Sequence, residues 1–244
     1  MVGGRCKSRR GGPRGPNRAM TRDDFKRALK RFIPQSIVTA TRPARLFFHP
    51  QRRFDRRFNV DTGGLVELAD LGISNDDAAG YEATTRSAFI RILKSVGLHY
   101  EDFTFMDMGS GKGAVLLYAS EFPFRRVVGV EFASALHTIA ERNIVTYRNK
   151  TVKCKNVTSV CMDAAAYPIP PEPTVFYFGN PFKGAVLTTV RANIEASLVQ
   201  HPREVIIIYH HPLSRHAHWD HAELLQVRRR ERDHSVYTSR VQTT

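Results

Sequence analysis

Residues 103–114 read Phe-Thr-Phe-Met-Asp-Met-Gly-Ser-Gly-Lys-Gly-Ala, and this segment is the most informative part of the sequence. A short apolar run leads to Asp107, and glycines follow at the alternate positions 109, 111 and 113. The next five residues, Val-Leu-Leu-Tyr-Ala, predict the apolar face of a helix. A strand, a glycine turn and a helix in this order bring the backbone close to a nucleotide-like ligand, because glycine has no Cβ in the way. The stretch therefore predicts an α/β domain with a ligand site at the turn.

The residues around the glycines restrict which ligand fits. A P-loop requires a glycine where Met106 stands and a serine or threonine where Gly113 stands, so that class is excluded. The glycine spacing loosely fits a dinucleotide turn, but the carboxylate of Asp107 would repel a pyrophosphate. S-adenosylmethionine has no phosphate and carries an ammonium and a sulfonium, which an acid attracts. S-adenosylmethionine is therefore the favoured ligand, and an NAD(P)-dependent oxidoreductase is a weaker alternative.

Residues 107–113 resemble motif I of the class I S-adenosylmethionine-dependent methyltransferases, and further landmarks of that family follow in its usual order. These are the segments 125–131 (RRVVGVE), 159–163 (SVCMD), 174–182 (TVFYFGNPF) and 204–209 (EVIIIY). Each segment predicts a strand, and the last is apolar and β-branched, as a buried parallel strand is. The resemblance covers the chain from about residue 81 to the C-terminus. The overall sequence pattern also resembles that of bacterial members of the family whose substrates are unassigned.

The resemblance also implies a set of residues for the methyl donor. Glu131 ends the second strand, where an acid binds ribose hydroxyls. Asp163 ends the third strand, where the family's acid meets the adenine amino group. The cofactor-binding residues implied in this way are Asp107, Gly109, Ser110, Gly111, Gly113, Glu131 and Asp163.

A turn that contains Tyr81 and Thr84 precedes a predicted helix from Arg86 to Val96. Thr84 or Thr85 is the predicted N-cap of that helix. The turn resembles the one in methyltransferases that modify lysine without a SET domain, where it closes over the methionine end of the cofactor. We therefore add Tyr81 and Thr84 to the predicted cofactor site, although a simple surface turn explains the pattern equally well.

Asn180-Pro181-Phe182 at the end of the fourth strand resembles a shortened form of the N-P-P-[YF] motif of amine and amide N-methyltransferases. Methyl transfer from a sulfonium is an in-line displacement, and orientation of the acceptor supplies much of the catalysis. The carbonyl of Asn180 and a following backbone carbonyl are suited to accept hydrogen bonds from an amine. Phe182 is suited to stack on the acceptor or to make a cation–π contact. These three residues are the predicted catalytic residues, and the alternative is an ordinary Asn-Pro turn.

The pattern as a whole predicts a doubly wound, mostly parallel, seven-stranded sheet with helices on both faces and an N-terminal helical extension. A terminal hairpin is predicted from residues 224–232 and 235–240. The domain organisation we expect is a disordered basic tail (1–19), a basic helical and turn extension (20–80) and a methyltransferase domain (81–244).

The net charge of +14 lies in the first 60 residues, which hold 17 basic and 3 acidic side chains, whereas the remaining residues are balanced at 20 of each. Residues 21–32 predict a helix with Thr21 as N-cap. The arginines at 52, 53, 56 and 57 fall on adjacent turns of a second helix, with Phe54 and Phe58 on one apolar face. This segment suggests an anionic partner, a nucleic acid or an acidic protein, although a solvated basic helix fits as well.

The remaining features concern the environment of the chain. Three cysteines without paired spacing suggest a reducing compartment, and no apolar run is long enough for a membrane span, so a cytoplasmic location without membrane association is expected. Histidines at 210, 211, 216, 218 and 221 follow the fifth strand. Their spacing does not favour zinc, so no metal is predicted, and His210 or His211 instead is a candidate for the acceptor pocket.

The favoured function is a methyltransferase that N-methylates a protein side chain. A small-molecule methyltransferase and a non-catalytic nucleic-acid-binding protein on the same fold are the alternatives.

Overall fold

A seven-stranded sheet is the centre of the structure, a computed structural model that describes residues 50–75, 77–210 and 217–240. A separate antiparallel pair comes first in the chain, formed by β1 (Leu65–Val66) and β2 (Tyr81–Glu82). The strands of the large sheet are β3 (Thr104–Met108), β4 (Arg126–Glu131), β5 (Val157–Cys161), β6 (Thr174–Phe178), β7 (Val205–His210), β8 (Leu225–Arg230) and β9 (His234–Ser239). They lie in the order β5-β4-β3-β6-β7-β9-β8.

The direction of the strands confirms the predicted doubly wound architecture. Strands β3 to β7 run parallel, whereas β9 is antiparallel to β7 and β8 is antiparallel to β9. The chain moves outward from β3 through β4 to β5, then returns to the other side of β3 for β6 and β7. The strand order therefore reverses between β3 and β6, and open α/β sheets bind ligands at the carboxyl ends of the strands at such a point.

Helices cover both faces of the sheet. They are α1 (Pro50–Phe58), α2 (Arg86–Val96), α3 (Ala114–Ala119), α4 (Ser134–Thr146), α5 (Gly184–Gln200) and α6 (Ala217–Asp220). One apolar core joins α2 and α3 to one face of the sheet, and a second core joins α5 to the opposite face. All six residues of β7 are buried, as its β-branched sequence predicts for a central parallel strand.

Helix α2 illustrates how the sequence fixes an element beside the site. Its N-cap is Thr85, whose side chain accepts a hydrogen bond from the amide of Ala88, and Gly97 ends it in the left-handed conformation at φ +67°. Its buried residues follow the helical period on one face: Phe89, Ile92, Leu93 and Val96. Residue 84 therefore lies just outside the helix, within 3.2 Å of the hydroxyl of Tyr177 in β6.

The described part of the N-terminal extension packs onto this body. Helix α1 confirms the predicted helix of four arginines, and Phe54 and Phe58 on its apolar side contact Tyr147 at ring-centroid distances of 5.8 and 5.0 Å. The side chain of Gln51 donates to the hydroxyl of Tyr118 in α3. The predicted tail and the predicted helix at residues 21–32 lie outside the described residues.

The terminal hairpin forms as the sequence predicts, since β8 and β9 pair antiparallel across residues 231–233. A register shift between Val227 and Arg229 interrupts the pairing of β8 at the edge of the sheet. Within the described residues, no helix is both long and apolar enough to cross a membrane.

Candidate active site

A cavity opens where the strand order reverses, at the carboxyl ends of β3 and β6. Asp107 of β3 and Tyr177 of β6 are register partners there. The glycine turn, Glu131, the β2 segment and the turn after β6 complete the walls of the cavity. The predicted site residues that line it are Tyr81, Thr84, Asp107, Gly109, Ser110, Gly111, Glu131, Asn180, Pro181 and Phe182. The fold thus brings seven of the nine predicted cofactor residues and the three predicted acceptor residues to one cavity.

Two positions of the turn require glycine, because other side chains approach the backbone closely there and because the backbone has a positive φ. Gly109 and Gly111 have φ of +92° and +53°, which L side chains rarely adopt. A Cβ on Gly109 would overlap the ring of Pro181, and a Cβ on Gly111 would overlap the ring of Tyr81. These glycines therefore allow the two walls of the cavity to meet the turn directly.

The carboxylate of Glu131 fixes the shape of the turn. One oxygen accepts a hydrogen bond of 2.8 Å from the amide of Gly111, and the other accepts one of 2.9 Å from the amide of Ala133. Burial raises the pKa of Glu131 above its ordinary value, and these amide donors oppose that rise. Its predicted contact with a ribose stays a prediction.

Asp107 is a second buried acid, only 3% exposed. Burial raises its pKa well above the ordinary value, and the nearby charge of Glu131 raises it further. A cation placed beside both acids would favour their ionised forms, whereas a phosphate would oppose them. The cavity therefore fits a ligand with a positive charge, which S-adenosylmethionine carries at its ammonium and its sulfonium.

Lys112 has a role that sequence reasoning missed. Its ammonium donates at 2.9 Å to the carboxylate of Asp61 and at 2.9 Å to the carbonyl of Gly63, so it binds the segment after α1 rather than a phosphate. Asn143 of α4 donates to the carbonyls of both Asp61 and Lys112. A buried lysine inside a glycine turn needs an acid as partner. In the sequence, the only indication of this partner was Asp61, which stands at the start of the turn sequence Asp-Thr-Gly-Gly.

Tyr81 lies over the glycine turn. Its ring occupies the position that a side chain at residue 111 would take. Its hydroxyl donates at 2.6 Å to the carbonyl of Thr62. Burial raises the pKa of Tyr81 well above its ordinary value, so the hydroxyl stays a hydrogen-bond donor. Tyr81 thus connects the turn before α2 to the segment that Lys112 holds.

The predicted acceptor motif is fixed by the segment before β2. The amide of Ala79 donates at 2.9 Å to the carbonyl of Pro181, and the amide of Lys183 donates at 2.7 Å to the carbonyl of Asp77. Asn180 has φ of +62°, a conformation that asparagine tolerates better than most residues. The ring of Phe182 is 6% exposed and packs edge-on against Phe178 at 6.0 Å.

Two predicted cofactor residues lie outside the walls of the cavity. Asp163 is exposed in the turn after β5, where its carboxylate accepts a hydrogen bond of 2.8 Å from the amide of Ala165. Gly113 is the N-cap of α3, at φ +81°. Their contacts with a cofactor stay predictions.

The histidines after β7 separate into two groups. His210 is buried at the end of β7, and its Nδ1 lies 2.6 Å from the hydroxyl of Tyr177. His221 is exposed, whereas His211 and His216 lie outside the described residues. Within the described residues, no group of three or more histidine, cysteine or acidic side chains is arranged to hold a metal ion.

Comparison with known proteins agrees with this geometry. Residues 77–157, roughly a third of the chain, match the family model described as "Histone methylation protein DOT1". This match spans Tyr81, the glycine turn and Glu131. No curated protein gives a significant match to the chain.

Three solved structures represent the structural likenesses. A methyltransferase from Aquifex aeolicus has 14% identity and a TM-score of 0.46, with coverage of 66% of this chain and 100% of that one. An RNA methyltransferase from Salinibacter ruber, in complex with S-adenosyl-L-homocysteine, has 17% identity and a TM-score of 0.44, with coverage of 66% and 95%. A ribosomal protein L11 methylase from Lactobacillus delbrueckii subsp. bulgaricus has 16% identity and a TM-score of 0.44, with coverage of 70% and 84%.

The sheet order, the glycine turn with its two buried acids and the family match define the class of the protein. It is a class I methyltransferase with a Rossmann-like fold, and its methyl donor is S-adenosylmethionine. The class, the enzymatic nature and the cofactor predicted from the sequence are confirmed.

Asp107→Asn is expected to make the free protein more stable and the cofactor complex weaker. Because folding raises the pKa of Asp107, the contribution of this acid to stability is fully present below its unfolded pKa and is lost as the pH rises through the folded pKa. The amide avoids that loss. We therefore expect a higher Tm than wild type at pH 8, by about 2–4 °C for each kcal/mol recovered, and a gain that shrinks towards pH 4.

Calorimetry with S-adenosylhomocysteine completes the test, since the variant loses attraction for the ligand's ammonium and we expect at least about tenfold weaker binding. The exposed Asp102→Asn is the matched control and leaves both quantities unchanged. A lower Tm at pH 8 together with unchanged affinity would show that Asp107 has another role.

Proposed function

We propose that the protein N-methylates the side chain of a protein substrate. The observation that carries this proposal is the position of Asn180-Pro181-Phe182, which lines the same cavity as the glycine turn. Pro181 contacts Gly109, so the acceptor motif and the cofactor turn are in direct contact. The matched family model describes histone methylation proteins, which supports a protein acceptor.

The site offers an amine what N-methylation requires. The bound cofactor supplies an electrophilic methyl group, and the protein supplies orientation. In this proposal the side-chain carbonyl of Asn180, which lines the cavity, accepts an N–H of the acceptor and so directs the nitrogen lone pair. Phe182 forms an apolar wall, braced by Phe178 from below. A small-molecule amine would use the same groups, and it is the alternative that the experiment below separates.

A reducing, cytoplasmic location is part of this proposal. It rests on the few cysteines and their unpaired spacing, with Cys154 and Cys161 both free thiols.

Labelled methyl transfer into a fractionated lysate tests the acceptor class. We expect label in the protein fraction and not in the nucleic-acid or small-molecule fraction. Asn180→Gly keeps the backbone at φ +62° without strain and removes the amide, so we expect about 100-fold slower labelling with nearly unchanged affinity for S-adenosylhomocysteine. The exposed Asn156→Ala is the control and keeps the wild-type rate. Label confined to small molecules would replace the proposal with its alternative.

We also propose that the basic N-terminal segment binds an anionic partner, with a nucleic acid as the form we test. Arg53 and Arg57 lie one turn apart on the exposed side of α1. They line a groove together with Arg86, Asn149 and Thr151. Acidic side chains neutralise only part of the positive charge of this groove. Glu121 pairs with Arg86. The carboxylate of Asp55 accepts hydrogen bonds from Thr62 and Gly63 and does not pair with an arginine of the groove.

Binding of fluorescent 20-nucleotide RNA and 20-base-pair DNA to the full chain, measured across a salt series, tests this surface. Replacement of both Arg53 and Arg57 by glutamine is expected to reduce the slope of log K against log salt by about 2, since each phosphate contact contributes about 1. The pair Arg228→Gln and Arg229→Gln, on the distant strand β8, removes the same charge. Equal losses in both double variants would show a general charge effect, and no salt-dependent binding would remove the proposal.

A further inference from the structure

Three polar side chains from separate elements meet beneath the acceptor motif. Tyr177 of β6 has its hydroxyl 2.6 Å from Nδ1 of His210, at the end of β7. The same hydroxyl lies 3.2 Å from the hydroxyl of Thr84, in the turn before α2. Tyr177 and His210 are each 1% exposed, whereas Thr84 is partly exposed. The three groups thus form a chain that runs from the cavity into the protein.

The outer end of this chain borders the site of methyl transfer. Thr84 and Tyr177 both line the cavity, and Tyr177 is the register partner of Asp107. A Cβ added to Gly179 would lie 3.7 Å from the hydroxyl oxygen of Thr84 and 4.0 Å from that of Tyr177. Both hydroxyls therefore adjoin the residue before Asn180.

With His210 neutral and its proton on Nε2, the chain has one direction: Nδ1 accepts, and the hydroxyl of Tyr177 donates to it. The oxygen of Tyr177 then accepts from Thr84, whose own oxygen keeps a lone pair for a donor in the cavity. Burial raises the pKa of Tyr177 far above its ordinary value, so this phenol passes one proton on while it takes up another, and does not ionise.

We propose that Thr84, Tyr177 and His210 form a proton relay that removes a proton from the acceptor nitrogen. The relay rests on the N-methylation proposed above, because an alkylammonium has no lone pair and carries its proton up to a pH near 10. One proton moves from the nitrogen to Thr84, the proton of Thr84 moves to Tyr177, and that of Tyr177 moves to Nδ1 of His210. The freed nitrogen then takes the methyl group: its N–C bond forms as the S–C bond breaks, with the electron pair left on sulfur. His210 finally releases its proton to solvent.

Charged and titratable groups surround the inner end of the relay. Strand β9 places His234 opposite His210 in the sheet, and Nδ1 of His234 lies 2.9 Å from the carboxylate of Asp233. Arg91 of α2 pairs with that same carboxylate. On the cavity side, Asp107 lies beside Tyr177. Asp233, which precedes β9, is partly exposed, and we assign the release of the relayed proton to this side of the sheet.

Tyr177→Phe tests the relay, because it keeps the ring that packs against Phe89 at 5.5 Å and removes only the hydroxyl. At pH 7 we expect methyl transfer to fall about 100-fold, within the usual range for acid–base groups. The rate of the variant then rises about tenfold per pH unit up to pH 9, as the free amine becomes more abundant, whereas the wild-type rate changes little. Tyr237→Phe, which removes another buried hydroxyl that bonds Asp220, keeps the wild-type profile.

Two further measurements separate a relay from a structural role. The affinity for S-adenosylhomocysteine is expected to stay within about twofold in Tyr177→Phe. Nitrogen NMR of the imidazoles is expected to show a changed Nδ1 signal for His210 in Tyr177→Phe and not in Tyr237→Phe. Thr84→Val is expected to repeat the pH effect, and Thr84→Ser to restore the wild-type profile.

The outcomes distinguish this inference from the proposed function. Label in protein with the altered pH profile supports both. Label in protein with a rate loss that is equal at every pH, or with no loss, overturns the relay alone. Label only in small molecules with the altered profile overturns the protein acceptor and supports the relay. No label in any fraction, with intact binding of S-adenosylhomocysteine, overturns both.

Discussion

The hydrogen bond from the amide of Gly111 to the buried carboxylate of Glu131 is the contact on which the site depends. It joins the turn after β3 to the end of β4 and holds Gly111 at φ +53°. With the turn in that shape, Pro181 and Tyr81 approach its backbone from two sides. The acceptor motif and the segment before α2 are therefore positioned by a turn that itself requires a buried acid.

Two buried acids lie together at the reversal of the strand order. Burial raises the pKa of both; the like charge of Glu131 raises that of Asp107 further, whereas amide donors oppose the rise at Glu131. A positively charged group of a ligand favours the ionised forms of both acids, and this attraction contributes to binding. The same arrangement disfavours a pyrophosphate, so the electrostatics of one turn select the methyl donor and exclude dinucleotides.

Local signals in the sequence were sufficient for the sheet and for the cofactor turn. Glycine spacing, apolar runs and acids at strand ends are contiguous patterns, and they predicted β3 to β7 and the tight glycine turn at residues 109–113. Contacts between distant segments were not predictable in this way. Lys112 meets Asp61 across 51 residues, and Tyr177 meets His210 across 33, because the packing of α1 and the strand order bring them together. Asp163 follows β5, as the sequence predicts, and its carboxylate accepts a hydrogen bond from the amide of Ala165 in the same turn.

Calorimetric titration of the full chain with S-adenosylhomocysteine and, separately, with NADH measures whether two buried acids at the glycine turn select a ligand that carries an ammonium and no phosphate. We expect binding of S-adenosylhomocysteine that weakens as the pH falls and Asp107 takes up a proton, and we expect no binding of NADH. Tight binding of NADH without binding of S-adenosylhomocysteine would contradict the account.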